Sequence, residues 1–511
     1  MLRRMVLCGL GILLACPVPA VAVTTSRRPA SPEPIILRIE RWSAGDGLTI
    51  SVTMPGDSDG TTTISNHPCC GNHEAHAFVS DVQASSAGRP LAVENKAAGW
   101  IVHHAPGDLL TVTYRLPPSG PLLIRTGTAG QYRPLVDAAT YHLLGSTALL
   151  LPVGRAGSGP VVLDFDATKV ASHGRFVSSF GEGTALHGIR TTRADLASAI
   201  FLGGAISLRL RHGDGGTVAV AFSAMRPSVR SDALTQDALA IVDAERRFFD
   251  DAQPWYLVSV RGAERRGSNI YLGGGSGHTN AFAMFTADDI DASNAENREQ
   301  FRWVIAHEYF HQWNGRQLQV ASLPGTDQDD ASSYWFSEGV TDFYATRLLT
   351  RAGLQTPAAS LETLNRKLLQ YATNSKRNLS AREAGPLFWT DADAEQIPYL
   401  RGYLAAWFVE LGSARAHDGE PGLDAAMRSL VKRAQAEPAF RVDNAFLVRY
   451  MGERLGKADA ETLQRFITDG GEAPLDPDSF RPCLTGMNEF VSGKSVLQFT
   501  FSGPDTSCFQ H

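Results

Sequence analysis

Residues 307 to 311 read His-Glu-Tyr-Phe-His, and this run constrains the fold more than any other feature of the chain. On a helix, positions i and i+4 share a face, so His307 and His311 present their imidazoles to one point while Glu308 projects beside them. A further ligand must come from elsewhere, which demands a second element packed against the first. Trp335-Phe336-Ser337-Glu338-Gly339-Val340-Thr341-Asp342-Phe343-Tyr344 reads as that second helix, with two acids among apolar and aromatic residues. Glu338 is the expected third ligand. Asp342, one turn later on the same face, is expected to accept the spare N–H of a ligating histidine and so fix its ring. The plainer alternative makes both acids solvated helix charges. With three protein ligands and one open position, one Zn2+ per chain would lower the pKa of a water to about 7, within reach of a carboxylate base. Between the two helices, Arg316 to Ser333 reads as a loop, with Pro324-Gly325 and the acids Asp327, Asp329 and Asp330.

His-Glu-x-x-His followed by Glu-x-x-x-Asp resembles the gluzincin clan, the relatives of thermolysin and aminopeptidase N. Within it, His307 to Asn314 and Trp335 to Tyr344 are most similar to the glycyl aminopeptidase family, metallopeptidase family sixty-one. The resemblance spans residues 206 to 460, with strong motifs at three places. It implies a zinc-dependent, aminopeptidase-like peptidase in which His307, His311 and Glu338 bind the metal and Glu308 is general base, then acid to the leaving amine. Ile397-Pro398-Tyr399-Leu400-Arg401-Gly402 is similar to the Pro-Tyr-x-Lys-Gly segment of aminopeptidase N relatives, with Arg401 in place of lysine. The resemblance thus implies that Tyr399 donates to the oxyanion, a role worth roughly 3 to 4 kcal/mol. Without it, Tyr399 reads as a helix-start aromatic filling the core.

One segment departs from the family pattern. Gly274-Gly275-Ser276-Gly277-His278 stands where the family has Gly-Gly-x-Glu-His, an edge strand whose backbone pairs with substrate and whose glutamate grips the free amino terminus. Gly274, Gly275, Gly277 and His278 are therefore the expected substrate-binding positions, but Gly277 offers no side chain for an ammonium group. His278 reads as a polar edge-strand residue rather than a fourth ligand. A phosphate cradle is a poor alternative, because no Lys-Ser/Thr follows the glycines.

At 511 residues, 43% hydrophobic and 20% charged, the chain has the composition of an ordinary multidomain globular protein. A formal charge of −6 and a pI near 6.2 leave no basic footprint for nucleic acid, and the resemblance implies a peptide or protein substrate as the partner. Arg3 and Arg4, the apolar stretch Met5 to Ala15, and Ala20-Val21-Ala22 read as a secretory signal cleaved after Ala22. Leu13-Leu14-Ala15-Cys16 also reads as a lipobox, which would tether the protein to a membrane through an acylated Cys16. Either way the expectation is export, to the periplasm or the medium. That leaves Cys69, Cys70, Cys483 and Cys508, an even set suggesting two disulfides. Cys483 with Cys508, or each tail cysteine with one of the adjacent pair, are both open. Cys69 and Cys70 with His67 and His73 form a weaker candidate zinc cluster.

The expected fold class is α+β and multidomain: an N-terminal all-β domain, then a thermolysin-like α/β zinc-peptidase domain with a C-terminal helical lobe. The expected boundaries are a signal peptide at 1–22, a Pro-rich linker at 23–34, the β domain at 35–205, the catalytic domain at 206–350, the helical lobe at 351–470 and a tail at 471–511. The tail is expected to be disulfide-bonded and too short for the PDZ domain usual in the family. Glycine-split β-type runs such as Leu110-Thr111-Val112-Thr113-Tyr114 mark the first domain. Ser231 to Phe249, Leu361 to Tyr371 and Leu423 to Ala434 carry helical periodicity. Three other functional readings stay open: an endopeptidase or altered-specificity hydrolase, motivated by Gly277; a non-catalytic zinc-containing peptide-binding protein; and hydrolysis of a non-peptide ester or epoxide.

Overall fold

Alternation of apolar and polar residues makes the first half β-structure. In Leu109–Leu116 the side chains of Leu110, Val112, Tyr114 and Leu116 are buried while their neighbours face outward. The computed structural model describes residues 31–66, 78–123, 133–153, 159–229, 231–265, 272–323, 330–388, 390–416, 422–491, 493–504 and 506–509. The expected signal segment, Cys16, the Cys69-Cys70 cluster and residues 324–329 of the insertion lie outside them. Among the described residues no helix is long and apolar enough to cross a membrane.

The N-terminal part holds a ten-stranded sheet and a five-stranded one. Its first strand, Glu33–Ser43, starts inside the expected linker, since Glu33 and Pro34 already pair with Val161 and Val162. The second half opens with a mixed sheet of β1 (Ser207–Gly213), β2 (Gly216–Ser223), β3 (Trp255–Ala263), β4 (Leu272–His278) and β5 (Ala281–Ala287), in the order β1-β2-β3-β5-β4. Strands β2, β3 and β5 run parallel, and β4 turns back antiparallel along β5 to form an edge. Both faces of this sheet are covered, as a largely parallel sheet requires. Val218, Val220, Phe222, Val258, Phe282 and Met284 pack under helices, while Ala219, Ala221, Leu257, Ala281 and Phe285 pack against Leu144, Ile200 and Leu202 of the smaller N-terminal sheet.

The helical face carries α1 (Ser231–Phe249) and α2 (Ala295–Phe310), followed by α3 (Thr341–Arg351), α4 (Pro357–Thr373), α5 (Ala392–Ala416) and α6 (Gly422–Ala436). The architecture is the expected α+β multidomain one, with a β-rich front and a helical rear.

Four local features differ from the sequence reading. The insertion is not all loop: Gln319–Val320 pairs in parallel with Arg441–Val442, and Ala331–Ser333 is a 3-10 turn. Trp335–Val340 is wound as a π-helix that passes into α3, so Glu338 sits on a bulged turn of the kind found at functional sites. Helix α5 starts at Ala392 and contains Pro398, which places Tyr399 in its second turn rather than at its start. In the tail, Leu484–Val491 and Lys494–Phe501 form a hairpin on α4, where Asn365 bonds the Phe499 backbone, while the Cys483–Cys508 disulfide is one of the two pairings the sequence left open.

Candidate active site

Helix α2 begins under a cap in which the Asn294 side chain accepts the Asn297 N–H at 3.0 Å, and it ends at Phe310. His311, the C-cap, still has helical backbone angles, so the i, i+4 relation with His307 persists to the end of the helix. The two imidazoles lie 4.7 Å apart between centroids and nearly perpendicular, at 85°. His307 Nδ1 donates to Asp342 Oδ1 at 2.8 Å, and His311 Nδ1 donates to the Asn314 carbonyl at 2.9 Å. A carbonyl and a carboxylate only accept, so each neutral ring carries its proton on Nδ1 and leaves a lone pair on Nε2.

Those two Nε2 atoms are 3.1 Å apart, and Glu338 Oε2 lies 3.4 and 3.5 Å from them. His307, His311 and Glu338 each offer one donor atom, all within 4.8 Å of one another. Three electron-rich atoms held this close repel unless a cation sits among them. Two imidazole nitrogens and a carboxylate oxygen, with the outer nitrogens tied off, form a donor set that fits Zn2+.

The surrounding acids favour positive charge at this point, whether a proton on His307 or a metal ion among the three donors. Burial opposes charge on His307, yet Asp342 and Glu338 overcome it and push its pKa up to about 10. Burial alone would raise Glu338, but the two imidazoles hold it well below the usual carboxylate range. Asp342, fully buried, is likewise held low by Lys367, whose ammonium pairs with Oδ2, and by His307. Glu308 is pushed up by burial, against the pull of both histidines. Tyr399 stacks near His307 at 6.0 Å, and its hydroxyl is within hydrogen-bonding reach of Glu338. Burial and three surrounding carboxylates push its pKa far up, so it stands as a neutral donor.

Asn314, Lys367 and the pair Gly339 and Gly402 were not singled out as site residues. Asn314 is buried and its amide donates to the Phe336 carbonyl at 2.9 Å and to Thr341 Oγ1 at 3.0 Å, locking the turn after His311 onto the segment bearing Glu338. A Cβ on Gly339 would lie 2.4 Å from the Gly402 Cα, and one on Gly402 would lie 1.8 Å from the Trp335 carbonyl oxygen. Backbone thus meets backbone where α5 crosses the Glu338 segment, which sets Tyr399 against the metal ligands. Asn314, Gly339 and Gly402 each fall inside a segment that carries the family resemblance, but no residue pattern there marks them off from their neighbours. Only the buried positions themselves betray them.

The edge strand β4 runs along this cluster. Gly274 sits at a register shift with φ +99°. A Cβ on Gly275 would come within 2.9 Å of Glu308 Cγ, so the strand can pass the glutamate only as glycine there. At Gly277 the nearest atom to such a Cβ is His311 Cβ at 3.8 Å, an ordinary contact that leaves room for a side chain. His278 turns away from the metal ligands: Nδ1 donates to the Ser198 carbonyl at 3.2 Å and Nε2 accepts from Ser276 Oγ at 2.8 Å.

Residues 300–397 match the model of the M61 glycyl aminopeptidase family, a span that holds the three metal donors, Glu308 and Asp342. The chain is a zinc metallopeptidase with a glycyl aminopeptidase-type metal segment. Tyr399 lies two residues past the matched M61 span. The fold of this metallopeptidase is similar to an aminopeptidase N family protein from Idiomarina loihiensis, with a TM-score of 0.73, 18% identity and coverage of 89% of this chain and 79% of that one. An M1 zinc metallopeptidase from Deinococcus radiodurans is similar with a TM-score of 0.52 and 15% identity, over 88% of this chain and 95% of that one. A variant of the Deinococcus enzyme bound to a Tyr-Ser-Ala substrate gives 0.51 and 14%, over the same shares of each chain, 88% and 95%. At these identities the likeness is one of architecture. No curated protein matches the sequence.

Proposed function

We propose that this metallopeptidase hydrolyses peptide bonds in extended chains laid along β4, with one zinc ion held by His307, His311 and Glu338. The single observation that carries this reading is the convergence of two Nε2 lone pairs and a carboxylate beside Glu308 and an open strand edge. Zinc bound there would supply Lewis acidity to water and to the scissile carbonyl. Glu308 takes the proton of the attacking water and delivers it to the leaving amine. Tyr399 donates to the oxygen on which negative charge develops. Asp342 keeps the His307 ring in one tautomer, and Lys367 balances its charge.

The M61 match supports aminopeptidase-like cleavage. Gly277 favours a second reading, in which substrates with a blocked or continuing amino end are accepted, because no side chain at that position meets the end of the substrate. The Arg3-Arg4 and Met5 to Ala22 pattern supports export, with anchoring through Cys16 as the lipidated form. A panel of peptides with free and acetylated amino termini, assayed with and without chelator and read by product mass, tests the activity and its exo or endo character. Glu308→Gln should abolish turnover while zinc stays bound, and undiminished turnover by that variant sinks the assignment.

A further inference from the structure

The open edge of β4 stops short. His278 and Ala281 face one another across the two-residue turn Thr279-Asn280, so they form the bonded pair that closes the hairpin. Alternation then turns the N–H and C=O of Gly277, which is exposed, out from the sheet. The His278 carbonyl points inward to Ala281, and because its peptide is trans the Thr279 N–H points outward, along the same edge as Gly277. That N–H is already taken, since it donates to the Ser198 carbonyl at 3.0 Å.

Ser198 comes from the N-terminal part of the chain, just after the short helix Arg193–Ala197, and it is clamped in place. His278 Nδ1 donates to the same carbonyl at 3.2 Å, and Thr279 Oγ1 donates to the Asp195 carbonyl at 2.7 Å. Arg316, in the turn after α2, donates to Ser198 Oγ at 3.3 Å and to Asp195 Oδ1 at 2.8 Å. His278 and Thr279 are buried under these contacts. The N-terminal part therefore stands as a wall across the strand edge, one step beyond Gly277.

The direction of the substrate follows from the two glycines. A Cβ on Gly275 would meet Glu308, and one on Gly277 would meet His311. In the proposed hydrolysis Glu308 hands its proton to the leaving amine, so the carboxyl-side part of the substrate lies toward Gly275 and the amino-side part runs past Gly277 into the wall. Paired strands advance in step, about 3.4 Å per residue. With the leaving nitrogen opposite Gly275, the scissile carbonyl belongs to the residue opposite Ser276, and its predecessor lies opposite Gly277. The residue before that would meet Ser198.

We propose that this wall makes the protein an exopeptidase that removes two-residue units from the amino end of linear chains. The inference rests on the proposed peptidase reading and names its substrate class. Asp195 and Arg316 neutralise one another, so the wall offers no net charge with which to select an ammonium group. An acetyl cap fills the place of the outer residue, and an acetylated chain should lose one capped residue at a time zero of the reaction. The site reads length, which is consistent with a glycine at 277.

The test uses the full-length, zinc-loaded protein and a neutral oligopeptide amide, followed by product mass over time. Dipeptides should be the first small products, and the acetylated analogue should first release an acetylated single residue. Free single amino acids as first products, or internal cuts, overturn the proposal. The double variant Asp195→Ala, Arg316→Ala unclamps Ser198 and should release longer fragments with zinc content unchanged. A second measurement needs neither that variant nor turnover. Zinc-loaded Glu308→Gln is titrated with one peptide fused to a carrier protein through its amino end or through its carboxyl end. The amino-end fusion should bind at least about 10-fold more weakly. Equal binding of the two fusions overturns the wall. End-selective binding without any hydrolysis by the wild type sinks the proposed function, and the dipeptide step with it, while the wall stands.

Discussion

His307 Nδ1 and Asp342 Oδ1 are 2.8 Å apart, and the other carboxylate oxygen of Asp342 is taken by Lys367. Asp342 is fully buried, so it has no role in solvent and its two oxygens are divided between one imidazole and one ammonium group. Asp342→Asn keeps the shape but weakens the hold on the ring's tautomer. Zinc affinity should fall about 10- to 100-fold, measured by competition with a chromophoric chelator. Unchanged affinity would show that the bond is incidental.

Tyr399→Phe removes one neutral donor and leaves the stack on His307 in place. Turnover should drop by about 100- to 1000-fold, with KM and zinc content near those of the wild type. A loss confined to KM would mean that the hydroxyl binds substrate without stabilising the transition state.

Gly275 and Gly277 lie two residues apart on β4 but differ in what a methyl group would meet. Gly275→Ala drives Cβ to 2.9 Å from Glu308 Cγ and should cost most of the activity, whereas Gly277→Ala has 3.8 Å of clearance and should be tolerated. Because there is room at 277, Gly277→Glu should shift the ratio of kcat/KM for free over acetylated amino termini upward by 10-fold or more, about 1.4 kcal/mol. Equal effects of the two alanines would place β4 elsewhere relative to Glu308.

His278 gives a dependence of stability on pH. Burial and the nearby Arg316 lower its pKa to about 4, against the Ser198 carbonyl, while an unfolded histidine titrates near 6.5. The unfolded chain therefore binds more protons between these values. The stabilisation from the neutral ring is complete above pH about 6.5 and is lost as pH falls toward 4, on the order of 3 kcal/mol in all. With chelator present throughout, melting of the wild type should fall more steeply over that range than melting of His278→Gln. Parallel curves would refute the assignment.

Much of this site was legible in the sequence because its geometry is local. The i, i+4 spacing puts His307 and His311 on one face wherever a helix forms, and the Glu338 to Asp342 spacing does the same a helix away. What was not legible depends on distant partners. The π-turn around Glu338, the helical residues ahead of Pro398 and the pairing of Gln319–Val320 with Arg441–Val442 all follow from how α5 and the C-terminal helices pack. The hairpin at 484–501 was hidden for a similar reason: its apolar residues Leu484, Leu497 and Phe499 find their partners on the helical lobe, far back in the chain. Asn314 has the same history, since its value lies in reaching a carbonyl 22 residues away.

The central claim concerns three donors and one ion. A crystallographic anomalous map recorded at the zinc edge on protein purified without added chelator tests it most directly. The account predicts one peak per chain, within about 2.0 to 2.2 Å of both Nε2 atoms and of a Glu338 carboxylate oxygen. A map empty at that position, or a peak ligated by other residues with Glu338 turned away, would contradict it.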